Sequence, residues 1–158
     1  MPLRSVPLPP AVPGRLWLAS MPGRFEPWST FVAEASRLRI DEVVCLTPRD
    51  EIATLSPRYH SAVVTGDLPF RWRQVPVPNF GVPPDREAFR QDVRLVASSL
   101  SAGEAVLLHC AAGMGRTGSA AACVLKVLGL GTDEALQRVR DAGSNPQGAQ
   151  QSGLVEWF

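Results

Sequence analysis

The stretch His109-Cys110-Ala111-Ala112-Gly113-Met114-Gly115-Arg116-Thr117-Gly118 constrains this chain more than any other. It follows the apolar run Ala105-Val106-Leu107-Leu108 and precedes a second run, Ala120 to Leu128, rich in small residues. A short apolar run bounded by a turn reads as a strand buried on both faces. The second run reads as a buried central helix. A buried strand feeding a buried helix through a short glycine-bearing loop belongs to a layered α/β domain. The loop also carries a cysteine and an arginine at its two ends, beside a helix start where anions are favoured.

The rest of the chain alternates strand and helix signals, as such a domain requires. Residues 1–13 hold Pro2, Pro7, Pro9, Pro10 and Pro13 and read as an extended arm. A strand is expected over 15–20, then a turn at Met21-Pro22-Gly23-Arg24. Ser29 or Thr30 is expected to cap a helix to about residue 38. A buried strand over 42–46 ends at Thr47-Pro48, and two short helices follow, broken at Ser56-Pro57 and stopped by Gly66. A strand over 71–76 nears a sheet edge, because Pro76 and Pro78 donate no ladder bond. After a loop to Pro84, Asp85 is placed to cap a helix carrying Phe89, Val93, Val96 and Leu100 at helical spacing. The buried helix is expected to start at Arg116 or Thr117. Thr132 is expected to cap another helix, and residues 148–158 form a last one. The pattern shows no repeat and no second domain, so residues 1–158 are expected to form one unit with an N-terminal arm.

Composition narrows the function. A formal net charge of +1 argues neither for nor against nucleic acid, and with no basic block in the chain no nucleic-acid partner is expected. No apolar run is long enough to span a bilayer. Cys45, Cys110 and Cys123 are an odd and sparse set, unlike a disulfide framework, so a reduced cytoplasmic setting is expected. His60 is the only histidine besides His109, which leaves no cluster for a metal. No cofactor is implied, and any bound anion is held by local groups.

Three phosphate-loop patterns overlap at the signature. Gly113, Gly115 and Gly118 match the spacing of the dinucleotide fingerprint, but the next segment, 132–140, reads as helix rather than as a strand ending in an acid. The P-loop of nucleotide hydrolases requires a lysine that is absent. The third pattern, Cys, five residues and Arg, gives every position a task. Gly113 and Gly115 permit positive φ and close approach. The backbone N–H groups of Ala111, Ala112, Gly113, Met114, Gly115 and Arg116 form an anion nest. The Arg116 fork matches phosphate oxygens, and the positive field favours a Cys110 thiolate. Thr117 is placed to donate to the sulfur, and His109 to orient the loop.

That signature resembles the one in cysteine-dependent protein tyrosine and dual-specificity phosphatases. Val12-Pro13-Gly14-Arg15-Leu16-Trp17-Leu18, Cys45-Leu46-Thr47-Pro48 and Val75-Pro76-Val77-Pro78-Asn79-Phe80-Gly81-Val82-Pro83 follow the segment order of the small atypical members, over roughly residues 12–158. The resemblance implies a central mixed sheet flanked by helices. It also implies metal-independent hydrolysis through a Cys110 thiophosphoryl intermediate. Gln147 or Gln150 would position the hydrolytic water, with Gln150 the candidate carried forward. A Cys45–Cys110 disulfide would protect the nucleophile.

The chain departs from the family at Asn79, where the general acid is an Asp. An amide cannot protonate a leaving oxygen, a task worth roughly 10²–10⁴-fold. Asp85 or Asp67 substitutes, the leaving group needs little help, or the chain is a slow enzyme or a phospho-binding protein. Asp85 also has the plain reading of a helix cap. Ala111, Ala112 and Met114 offer no basic side chain for a multiply phosphorylated ligand, which favours a phosphorylated protein or a small aryl phosphate. A rhodanese-like sulfur carrier also uses a Cys-led anion loop and remains open.

Overall fold

Buried apolar strands need neighbours on both edges, and β5, Ala105–His109, has them: all five of its residues are buried. The parallel strands β2 (Arg15–Ala19) and β3 (Glu42–Cys45) flank it, with Leu18 opposite Leu108 and Cys45 opposite His109. β4 (Arg71–Gln74) adds in parallel outside β3, and β1 (Arg4–Val6) adds antiparallel outside β2. The mixed sheet has the order β1-β2-β5-β3-β4. The computed structural model describes residues 3–158.

Strand alternation sorts the side chains between two helical layers. Leu16, Leu18, Val44, Val106 and Leu108 face α4 (Arg86–Ser101) and α5 (Gly115–Val127) in the largest core cluster. α6 (Thr132–Asp141) and α7 (Ala149–Trp157) close that side through Val139, Leu154 and Val155. On the other face, Ala19, Val43 and Leu107 pack on Phe31 and Ala35 of α1 (Trp28–Arg37). Beneath α2 (Arg49–Leu55) and α3 (Pro57–Thr65), Ile52 and Tyr59 pack with Met21, Cys45 and Ala111. Among the described residues, no helix is long and apolar enough to cross a membrane.

Several expected boundaries shift for local reasons. The arm is not merely extended: residues 4–6 lie between Pro2 and Pro7 and are free to ladder, so they form the edge strand β1. Val6 is buried in the main core. α1 begins at Trp28 behind Pro27, with no side-chain cap, so Ser29 and Thr30 lie inside its first turn. Thr132 is likewise the first residue of α6, behind Gly131. The 71–76 signal splits: β4 ends at Gln74, yet Val75 N–H donates to Cys45 O at 2.8 Å and Val77 N–H to Leu46 O at 3.0 Å. Pro76 and Pro78 fall on the alternate positions, where no donor is needed.

Arg4 ties this edge strand to the centre. Its Nη2 donates to Gly113 O at 2.7 Å, and its Nη1 donates to Ala142 O at 2.7 Å and to Ser144 Oγ at 2.9 Å. Charge-assisted bonds of this kind are worth about 1.5–3 kcal/mol. Arg4→Ala is therefore expected to lower the unfolding free energy by about 2 kcal/mol or more in a urea titration. An unchanged midpoint and slope would show that the clamp contributes nothing.

Candidate active site

In a parallel sheet, ligands bind beyond the carboxyl ends of the strands. Here the segments leaving β2, β3, β4 and β5 converge there on one cavity of about 550 Å³. Arg24, Asp50, Asn79, Cys110, Arg116 and Gln151 line it, drawn from those four segments and from α5 and α7.

The loop at its floor is held by its carbonyls. Cys110 O faces His109 Nδ1 at 3.1 Å. Ala111 O accepts from Met21 N–H at 3.2 Å and from Arg24 Nη1 at 2.9 Å. Gly113 O accepts from Arg4 and from Ser144 Oγ, Met114 O from Gly118 N–H and Asn145 N–H, and Gly115 O from Ser119 Oγ. No peptide is cis. Across a trans peptide the N–H points opposite to the preceding C=O. With these carbonyls turned outward, the N–H groups of Ala111, Ala112, Met114, Gly115 and Arg116 turn the other way, and Gly113 N–H donates to Cys110 Sγ at 3.2 Å. This is an anion nest built around a sulfur. Gly113, at φ 72°, lies so close to β2 that a Cβ would stand 2.6 Å from Ala19 C and O. A Cβ on Gly115 would stand 2.7 Å from Gln151 Oε1, so the glycine lets that amide reach the loop.

Arg116, with only 3% of its side chain exposed, grips Glu51 of α2 with both arms: Nη1 to Oε1 at 3.0 Å and Nη2 to Oε2 at 2.7 Å. Nη1 also donates to Val77 O at 3.0 Å. Of its five donors, three are engaged, and Nε–H and the second Nη2–H are left for a ligand. Burial works against the charge of Arg116, but the bonds to Glu51, with Cys110 close by, outweigh it and raise its pKa.

His109 is fully buried, and its tautomer follows from its partners. Cys110 O only accepts, so Nδ1 carries the proton. Nε2 then accepts from Tyr59 Oη at 2.7 Å, and that oxygen accepts in turn from Trp72 Nε1 at 2.8 Å. Burial, with some repulsion from Arg116, lowers the His109 pKa to about 4, although the bond to Cys110 O works the other way. Burial also raises the Cys45 thiol and pushes Cys123 to about 12, which leaves both as core residues.

The other candidate residues are placed as follows. Asn79 lines the cavity in a turn closed by Gly81 N–H to Pro78 O, with Phe80 held at φ 57° on the rim. Asp85 is not brought to the cavity: it caps α4, accepting from Glu87 N–H and Ala88 N–H at 3.0 and 3.1 Å. Gln150 is exposed, and the residues that line the cavity are Gln147 and Gln151. Gln151 accepts from Gln147 N–H at 2.7 Å and donates to Gly81 O at 3.1 Å. The buried positions 151, 154 and 155 of α7 are the periodicity that would have fixed this register. Thr117 Oγ1 is buried without a partner rather than bonded to the sulfur. Cys45 and Cys110 are both buried free thiols, Cys110 in the cluster facing α4 and α5 and Cys45 in the one beneath α2 and α3. Arg4, Glu51 and Tyr59 were not foreseen, because their roles are contacts across long stretches of chain. Among the described residues, no group of three or more His, Cys, Asp or Glu side chains is arranged to hold a metal.

The fold that carries this site is shared with solved phosphatases. Kinase associated phosphatase, solved with its catalytic cysteine replaced by serine, is 19% identical over 100% of this chain and 94% of its own, with a TM-score of 0.85. A mutant form of Tk-PTP is 26% identical over 91% of this chain and 89% of its own, with a TM-score of 0.69. TpbA of P. aeruginosa is 22% identical over 98% and 90%, with a TM-score of 0.64. The family model "Swiss Army Knife protein, DSP-PTPase phosphatase domain" matches residues 10–152, and the chain belongs to that family.

The unfolded chain takes up the His109 proton near pH 6.5 and the folded chain only near 4. The stability that depends on a neutral His109 is therefore intact above pH 6.5 and is lost as the pH falls through 4, by about 3 kcal/mol in all. Tyr59→Phe strands both Trp72 Nε1–H and His109 Nε2, at about 1–3 kcal/mol. Urea melts between pH 7 and 4 test both. A pH-independent midpoint that is identical in the variant would contradict this network.

Proposed function

We propose that this phosphatase domain hydrolyses phosphomonoesters by covalent catalysis at Cys110, with phosphotyrosine or dual-specificity phosphoproteins as its substrates. The supporting observation is the outward hold on the loop carbonyls, which aims the amides around Cys110 Sγ at the space an anion would fill. In the first step an S–P bond forms as the ester P–O bond breaks. The charge on the equatorial oxygens is met by the amides of Ala111 to Arg116 and by the two remaining Arg116 donors. In the second step water attacks phosphorus, phosphate leaves, and the thiolate returns. Gln147 and Gln151, beside Gly115, are the groups we assign to that water, in place of Gln150. No metal enters this scheme. Ala111, Ala112 and Met114 offer no cation for a second phosphate, and Phe80 on the rim suits an aryl group. A free thiol nucleophile suits the cytoplasm.

Asn79 carries a second reading, a slow phosphatase-like protein that mainly holds phosphorylated ligand, since the cavity has an amide where a loop carboxylate would help the leaving group. Turnover of p-nitrophenyl phosphate separates the two. Cys110→Ser is expected to lose at least about 10³-fold in kcat, and Arg116→Lys about 10²-fold, because a lysine gives no fork. Equal rates in the unaltered chain and Cys110→Ser would remove the enzymatic reading and leave the binding one.

A further inference from the structure

We infer that Asp50 is the general acid of this site, supplying from α2 the proton that Asn79 cannot. The inference rests on the phosphomonoesterase reading above. Two carboxylates line the cavity, Asp50 and Glu51. Glu51 gives both oxygens to the Arg116 fork and is committed there. Asp50, one residue earlier, opens on the same space, and no described residue hydrogen-bonds or ion-pairs with its carboxylate. The other proton sources are excluded one by one. Asp85 is spent as the cap of α4 and lines a different groove. Asp67, in the α3–β4 turn, is not part of the cavity wall. His109 is fully buried, with its single proton committed to Cys110 O. Arg24 and Arg116 do not give up protons at working pH. Asn79 and Asp50 meet at one cavity from β4 and β3 respectively, so the acid has moved from one strand end to its neighbour.

The step balances. As Cys110 Sγ bonds to phosphorus and the ester P–O bond breaks, the Asp50 carboxyl proton passes to the leaving oxygen. The resulting carboxylate then accepts a proton from the water that opens the phosphocysteine, and the acid is restored. Asn79 can donate its amide hydrogen bond to the same leaving oxygen without transferring a proton.

The decisive contrast is between two leaving groups. Phenyl phosphate needs a proton on its departing oxygen, whereas a difluorinated umbelliferyl phosphate departs as a stable anion. Asp50→Asn is expected to lose roughly 10²-fold in kcat on phenyl phosphate and less than about threefold on the fluorinated ester. The alkaline limb of the kcat profile for phenyl phosphate should vanish with it. Adding Asn79→Asp to Asp50→Asn is expected to recover much of the loss. Turnover of the fluorinated ester serves as the control for folding. Equal losses on both esters, or none on either, would overturn the role of Asp50 while leaving the nucleophile in place. If the fluorinated ester is hydrolysed equally well by Cys110→Ser, the phosphatase reading falls, and Asp50 falls with it.

Discussion

The site depends on where five carbonyls point. Those of Cys110, Ala111, Gly113, Met114 and Gly115 are each drawn away from the cavity by a donor, local for Cys110 and Gly115 and from distant segments for Ala111, Gly113 and Met114. A carbonyl turned inward would repel an anion; a trans peptide turned outward presents its N–H instead. The donors come from β1, the loop after β2, β5, α5 and the segment between α6 and α7. An anion nest of six residues thus draws on nearly every layer of the domain, including the edge strand that carries Arg4.

The second constraint is the buried guanidinium of Arg116. Removing such a charge from water costs several kcal/mol, and the cost is recovered only through good geometry and full pairing. Glu51 and Val77 O supply part of that pairing and fix the fork in place before any ligand arrives. Two donors remain, and in the proposed reaction a phosphoryl group completes the set. The same contacts tie α2 and the segment after β4 to the loop, so the wall carrying Asp50 and the wall carrying Asn79 are set relative to Cys110 by one side chain. The neutral His109 behind them adds no competing charge.

Elements with a local cause were legible in the sequence. The buried strand at 105–108, the break at Ser56-Pro57, the Asp85 cap and the α/β layering all follow from apolar runs, turn residues and capping chemistry within a few positions. The loop and the family resemblance were legible because Cys110, Gly113, Gly115 and Arg116 are contiguous. Contacts across the chain were not. Glu51 reads locally as an acid in the first turn of a helix, and only the fold shows that it grips Arg116. Arg4 sits in a proline-rich arm that gave no sign of a strand, yet it clamps Gly113 across more than a hundred residues. Gln150 is exposed, and it is Gln151, on the buried face of α7, that reaches the cavity with Gln147. Asp85 was considered for catalysis because it lies close in sequence to Asn79, and the fold instead uses it as the cap of α4.

The account turns on Cys110 Sγ being the atom that takes the phosphoryl group. Rapid acid quench of the protein during turnover of an aryl phosphate, followed by peptide mass spectrometry, tests this directly. The predicted result is one phosphoryl group on the peptide spanning Cys110, bound through sulfur, and absent from Cys110→Ser. A phosphoryl group on another side chain, or steady turnover with no trapped phosphocysteine and no dependence on Cys110, would contradict it.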